Sequence, residues 1–235
     1  MENKRIIQSA NLHALSTIAE NLGELREELV FLGGCATALF ITDDAASDVR
    51  VTQDIDCIVD VISLAKYYEI SDKLRKKGFS QSSEDEVICR WHINNMILDV
   101  MPTDENILGF GNIWYKAAIK NSIKIKVLNK NTIQVVSVPY FLATKLEAFK
   151  NRGNLDYLSS HDLEDIITVI DGRPEILNDI KKADKNIMEY LSKEFGQLLN
   201  NPKFIQSLPG HLNYGLTREE REKSVINRIK EISKK

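Results

Sequence analysis

Two carboxylates stand one residue apart in the stretch TQDIDCIVD, residues 52–60, where most surrounding side chains are apolar. A β-strand sends alternate side chains to opposite faces, so Asp54 and Asp56 project together while Ile55 and Cys57 turn into the core. Carboxylates held that close repel and raise each other's pKa, and a divalent cation relieves the repulsion. Magnesium takes oxygen ligands, commonly one or two carboxylates together with substrate phosphates. A third acid, Asp99, lies in another apolar run, MILDVMP at 96–102. Contributed from a neighbouring strand, it would complete a two-metal site, whose ions activate an attacking hydroxyl and stabilise a leaving pyrophosphate. The competing reading of Asp99 is a strand-edge acid neutralised by Arg90 or a lysine. That of Asp54 and Asp56 is a strand end that is merely acidic. Acids at the mouths of core strands need a reason, which favours the metal site.

Upstream, FLGGCATALF at 31–40 sets Gly33 and Gly34 between a buried strand and a helix. Glycine lets backbone approach a phosphate closely, and a following helix offers free N–H groups and its positive end. The pair is therefore expected to cradle the β- and γ-phosphates while the carboxylates hold magnesium on those same phosphates. It is not a Walker loop, because no Gly-Lys-Ser/Thr follows.

The elements that must position these residues are readable from periodicity and punctuation. Leu12, Leu15, Ala19, Leu22 and Leu25 fall at helical spacing over residues 8–28. Leu29–Leu32 reads as a buried strand, 35–41 as a short helix, the polar TDDAASDVRVT as a loop and Asp54–Val61 as the next strand. Ser63 caps a helix running to Lys77, which Gly78 ends. VICRWHI and MILDVMP form a hairpin turning at Asn94-Asn95, and SIKIKVL and TIQVVSV form another about NKN. A short helix covers Ile113–Lys120. Pro139 opens a helix to about Lys150, NRGNLDYLSS is a loop, and Ser159 or Ser160 caps a helix ending at Gly172. Beyond Pro174 the pattern is helical and highly charged. The order predicts an α+β fold, a mixed sheet flanked by helices with a helical C-terminal part. The expected division is a core over 1–138 and a helical region over 139–235 that contributes to the nucleotide site.

At 235 residues, 43% hydrophobic, the chain holds a substantial core, and no apolar run is long enough to span a membrane. The N-terminal MENKRIIQSANLHAL lacks the pattern of a secretory signal. Cys35, Cys57 and Cys89 sit in apolar stretches without metal spacing, as buried thiols of a cytoplasmic protein would. The net charge of -3 argues against a protein that coats nucleic acid. Lys116, Lys120, Lys124, Lys126 and Lys130 read as the solvated side of a helix and strand rather than an RNA-binding patch.

The diglycine turn, the Asp-x-Asp strand and the later acid together resemble the nucleotidyltransferase superfamily related to DNA polymerase β. Within it the chain looks most like the AbiEii-type bacterial toxins, on the strength of GG-x-A-x-x-L, RVTQDID at 50–56, ATKLEAFKNRG at 143–153 and SSHDLEDIITVIDGR at 159–173. The resemblance covers about residues 25–175. The stretch between Gly34 and Asp54, containing ITDDAASD, is longer than in close relatives. The resemblance implies transfer of a nucleoside monophosphate from a nucleoside triphosphate, ATP among the candidates, to an acceptor hydroxyl, with Mg2+ or Mn2+ as cofactor. It further implies the toxin of a toxin–antitoxin pair, sometimes acting on the tRNA 3′ end, with an RNA or protein acceptor and a cognate antitoxin as partners. Asp54, Asp56 and Asp99 would be the catalytic metal ligands. Two other readings keep the fold: a non-catalytic nucleotide-binding regulator, and an antibiotic-modifying enzyme with a small-molecule acceptor.

Further nucleotide contacts are expected around this centre. Lys145, inside an apolar helix, would meet triphosphate oxygens; alternatively it pairs with Glu147 or another acid. Asp162 and Asp165 share a helix face. Asp162 lies in the first turn, where an acid stabilises the helix dipole without any other role, whereas Asp165 lies beyond it. Asp165 is the better candidate to contact the lysine or the nucleotide. Arg152 lies further along the Lys145 face and would reach phosphate or solvent. Thr52 and Arg50 would touch the triphosphate. His161 reads as a capping-region residue, and Trp91 and His92 as strand residues.

Overall fold

The computed structural model describes residues 2–46, 49–152, 156–212 and 217–234. Parts of two predicted loops, at 47–48 and 153–155, lie outside the described residues. The chain divides into two compact units, Met1–Ala38 with Val51–Ser137, and Leu39–Arg50 with Val138–Lys235.

The first unit begins with α1 (Glu2–Leu22), extended by a 3-10 turn at Gly23–Glu27. Leu15, Ala19, Leu22 and Leu25 are buried, as their spacing predicts. Strand β1 (Leu29–Leu32) leads into α2 (Gly33–Ala36) and a 3-10 turn at Thr37–Leu39. After β2 (Asp54–Val59), Ser63 caps α3 (Leu64–Lys76) by accepting from the Lys66 N–H. β3 (Arg90–Ile93) and β4 (Met96–Pro102) form a two-residue hairpin, with Asn94 and Asn95 both at positive φ, 47° and 64°. Asparagine tolerates that region, which matches the twist of the flanking strands. The remaining elements are α4 (Glu105–Leu108), α5 (Tyr115–Lys120), β5 (Ile123–Val127) and β6 (Asn131–Val135).

The six strands form one mixed sheet in the order β3-β4-β2-β1-β6-β5. β2 runs parallel to β4 and antiparallel to β1, and β1 runs parallel to β6. Phe31, Cys57, Trp91, Leu98, Val100 and Val135 are fully buried within it. Strand β5 is an edge, and Lys124 and Lys126 on it are exposed. Lysines on an edge strand deter pairing with another chain, which supports the solvated reading of the basic stretch.

The second unit is helical: α6 (Val138–Arg152), α7 (His161–Gly172), α8 (Ile176–Lys181), α9 (Lys185–Leu199), α10 (Pro202–Ser207) and α11 (Arg218–Ser233). Ser160, not Ser159, caps α7 by accepting from the Leu163 N–H. The segment Leu39–Arg50 belongs to this unit. The N–H groups of Thr42 and Asp43 both donate to the Gly172 carbonyl, at 2.9 and 3.0 Å, and the rings of Phe40 and Phe141 pack edge to face. A side chain on Gly172 would come within 2.8 Å of Ile41, so this glycine serves a close approach besides ending its helix. Among the described residues no helix is long and apolar enough to cross a membrane.

Candidate active site

One row of register partners crosses four adjacent strands: Leu32 on β1, Asp56 on β2, Asp99 on β4 and Arg90 on β3. Directly opposed residues share a face of the sheet, so Asp56 and Asp99 point to the same side. Asp54, two residues from Asp56, joins them. Burial follows the expected alternation: Ile55 and Cys57 are buried, while Asp54 and Asp56 are half-buried at the start of β2. Asp99 is more enclosed, at 8% exposed.

Gly33 serves this row directly. Gly33 has φ +78°, and a Cβ built there would lie 1.8 Å from Oδ2 of Asp56. The absent side chain makes room for the carboxylate. The helix that Gly33 opens is a single α-turn continued by the 3-10 turn, shifted from the expected 35–41 and too short for a substantial dipole. Of the expected phosphate cradle, a helix dipole is therefore not part, and only backbone N–H groups are left as candidates.

Asp99 is held by Arg90. Nε donates to Oδ1 at 2.9 Å and Nη2 to Oδ2 at 2.7 Å, a two-pronged pairing. Nη2 also lies 4.0 Å from Oδ2 of Asp54. The hydrogen bonds with Asp99 raise the Arg90 pKa above its already high ordinary value, against the effect of burial. Of the two readings of Asp99, the ion pair with Arg90 is thus present, in the same register that sets Asp99 beside Asp56. Among the described residues no three or more His, Cys, Asp or Glu are grouped to hold a metal ion. Asp54 and Asp56 remain a donor pair that suits magnesium carrying substrate phosphates, since that ion commonly takes only one or two carboxylates.

Cys35 lies in the electrostatic field of the acids. Burial pushes its thiol up to about 12; the Thr52 hydroxyl beside it opposes, and Asp56 and Asp54 add to the rise. Thr52 is 9% exposed, and its backbone N–H donates to Oδ1 of Asn11 at 3.3 Å. It is anchored against α1 and α2, next to the acids.

In the helical unit Lys145 on α6 is buried against both acids of α7. Its Nζ lies 3.0 Å from Oδ1 of Asp162 and 2.6 Å from Oδ2 of Asp165, the latter out of line for a hydrogen bond. Arg152 donates to both oxygens of Asp162 at 3.1 Å, and Arg50 reaches Asp165 at 3.6 Å and Glu164 at 3.8 Å. Burial works to raise the Asp162 pKa, but Lys145 and Arg152 outweigh it and hold the carboxyl below its ordinary value. Glu147 pairs with Lys150 and accepts from Tyr190, so the acid partners of Lys145 come from α7. His161 is exposed beside Glu164, His92 contacts Asp85 at 2.7 Å and Trp91 is core.

One feature escapes sequence reasoning, a part-buried cluster in which Arg221 bridges Asp43 and the buried Asp171. The pairing of Arg90 with Asp99 is the competing reading of that acid, and the register could have fixed it: a two-residue turn at Asn94-Asn95 pairs Ile93 with Met96, and counting back along both strands pairs Arg90 with Asp99. A cavity of about 450 Å³, lined by residues including Ile62, Thr103, Asn112 and Ile113, opens past the carboxy ends of β2 and β4, away from the start of β2 where Asp54 and Asp56 lie.

No protein-family model matches the chain, and no curated protein does. Among solved structures, an antigenic nucleotidyltransferase-like protein from Paracoccidioides brasiliensis aligns over 86% of this chain and 93% of its own, at 17% identity and TM-score 0.51. JHP933 from Helicobacter pylori aligns over 100% of this chain and 93% of its own, at 12% identity and TM-score 0.46. The first likeness is one of fold: the mixed six-stranded sheet with flanking helices is nucleotidyltransferase-like.

Proposed function

We propose that the protein is a nucleotidyltransferase that moves a nucleoside monophosphate from a nucleoside triphosphate to an acceptor hydroxyl, releasing pyrophosphate. The observation that carries this reading is the fit of the Asp56 carboxylate into the space left by Gly33, with Asp54 on the same face and Asp99 opposite in register. A fold alone hosts many functions; a site with geometry suited to a chemistry is the stronger argument.

In this reading Asp54 and Asp56 would hold Mg2+ or Mn2+. The bound ion supplies charge neutralisation on the triphosphate and polarises its phosphorus–oxygen bonds. The chain's own groups do the positioning. The turn at Gly33 and Gly34 would offer backbone N–H groups to phosphate oxygens beside the Asp56 carboxylate that fills the side-chain space of Gly33. Asp99, enclosed and hydrogen-bonded to Arg90, stands opposite Asp56 on the same face and is proposed as the third acid of the site. Lys145, Asp162, Asp165 and Arg152 are proposed to serve the nucleotide from the helical unit. There Lys145 fixes α6 against α7, and Arg152, 74% exposed, offers the more accessible charge. An RNA or protein acceptor and a toxin–antitoxin setting are the finer form of the proposal.

The test is incubation with each labelled triphosphate, Mg2+ or Mn2+, and cellular RNA or protein. Label transfer that Asp54→Ala abolishes supports the reading; transfer unaffected by Asp54→Ala sinks it. The Arg90–Asp99 pair favours one alternative, a non-catalytic nucleotide-binding regulator in which the third acid is structural. Triphosphate binding without turnover on every acceptor tried would favour that alternative.

A further inference from the structure

The three acids of the sheet face do not have equal freedom. Asp99 is only 8% exposed, so little water reaches its carboxylate and a cationic partner stabilises it. Arg90 supplies one with two parallel hydrogen bonds, yet its long side chain is 31% exposed and reaches the site from the adjacent strand. The same guanidinium lies 4.0 Å from Asp54, so it stands among the acids rather than outside them. Two of the three carboxylates of this face, Asp99 and Asp54, thus share one arginine. A cation arriving beside Asp54 and Asp56 meets a third carboxylate whose two oxygens are already engaged.

Resting on the reading of this face as a metal-dependent site, we infer that Arg90 is a positioning residue that holds Asp99 as an internal substitute for a divalent cation and yields it when one enters. The mobile and the fixed partner differ in the direction this requires: arginine can release its charge to solvent, whereas the enclosed carboxylate gains from exchanging one cation for another. Geometry sets the strength of the hold. A planar fork grips both oxygens, while a lysine in its place would offer one compact charge and could not occupy both at once. Arg90 therefore controls whether the site has two carboxylates or three available to the ion. A role confined to bracing β3 against β4 predicts no effect on metal affinity.

Mn2+ alone, without nucleotide, is the probe, titrated into the full chain and followed by electron paramagnetic resonance of the free ion. Wild type, Arg90→Gln, Arg90→Lys and Asp56→Asn are compared, with circular dichroism confirming that each is folded. The expected result is that Arg90→Gln binds Mn2+ at least tenfold more tightly than wild type. Arg90→Lys, which keeps the charge but loses the fork, should tighten binding by a smaller factor. Asp56→Asn should remove the site. Tightening in Arg90→Gln alone, with Arg90→Lys like wild type, would show that only net charge matters and overturns the inference. Unchanged or weaker affinity in both, while Asp56→Asn still abolishes binding, also overturns it and leaves the metal-dependent reading standing. Binding that no Asp56 variant alters removes both. Should Arg90→Gln fail to fold, Arg90→Lys decides the question by itself.

Discussion

The carboxylate of Asp56 occupies the volume that a side chain on Gly33 would fill, with Oδ2 1.8 Å from the position of the missing Cβ. Asp56 lies on β2 opposite Leu32 of the antiparallel β1, and Gly33 follows Leu32 at once to open α2. The diglycine turn and the acidic strand are therefore one construction: the first has its form because the second needs the space.

Gly33→Ala should accordingly be damaging twice over. A non-glycine residue at φ +78° costs more than about 1 kcal/mol by itself, and the methyl group must also expel the Asp56 carboxylate. Urea unfolding should show a lower midpoint with an unchanged slope, and any transferase activity should be lost with it. A variant as stable as wild type would mean that the turn is not held as described.

Asp56→Asn separates charge from shape. Asparagine is nearly isosteric and retains the fit against Gly33, so stability should change by less than about 1 kcal/mol. Removing a group that stabilises charge in the reaction typically costs about a hundredfold or more in rate. Label transfer should fall by at least that factor in a protein that melts normally. Retained activity would move the chemistry away from β2.

The chemistry-bearing positions were legible because they break a pattern. Asp54, Asp56 and Asp99 are acids inside apolar strands, and alternation alone places the first two on one face. Ser63, Ser160 and Asn94-Asn95 announced two helix starts and a hairpin, each through local backbone chemistry. What stayed hidden depends on contacts distant in sequence. Leu39–Arg50 joins the helical unit through bonds from Thr42 and Asp43 to Gly172, and nothing local signals that destination. The helix Glu105–Leu108 buries no residue, so it leaves no hydrophobic period to read. Lys145 sits in an apolar helix as predicted, yet which acids it meets follows from the packing of α6 on α7.

Lys145→Met tests that packing. Lys145, Asp162 and Asp165 are nearly enclosed, with side-chain exposures of 8%, 8% and 2%. Breaking a buried pair by deleting one partner typically costs about 3–5 kcal/mol, because the remaining charge is stranded. The helical unit should lose stability on that scale. Adding Asp165→Asn to Lys145→Met should recover part of the loss, giving a coupling that a double-mutant cycle measures. Additive effects would show that the groups do not act together.

Asp162 also fixes the sign of an acid response. Lys145 and Arg152 hold its carboxyl below the ordinary value of 3.8 despite burial. A depressed folded-state pKa gives stability that is present above the unfolded value and disappears as pH falls through the folded one. Stability should therefore decline below about pH 3.8. Asp162→Asn should flatten the part of that decline that belongs to this group. A denaturation midpoint that rises on acidification through this range would contradict the pairing.

Thiol chemistry provides a check on the core around the acids that needs no substrate. Cys35, Cys57 and Cys89 are all free and buried. Burial pushes Cys35 up to about 12, with Asp56 and Asp54 adding to the rise, and Cys89 up to about 11, with Asp99 adding; Cys57 is driven well above its ordinary value by burial and then Asp56. Thiolate is the reactive form, so at pH 8 only on the order of one Cys35 in ten thousand is ionised, and access is blocked as well. The folded protein should therefore leave all three thiols unmodified by a thiolate-selective reagent over a time in which unfolded protein reacts fully. Asp56→Asn removes one negative neighbour and should lower the Cys35 and Cys57 values, speeding their modification if the fold is kept. Prompt labelling of Cys35 in native wild type would instead mean that the diglycine turn opens readily and does not hold Asp56 in the geometry on which the site depends.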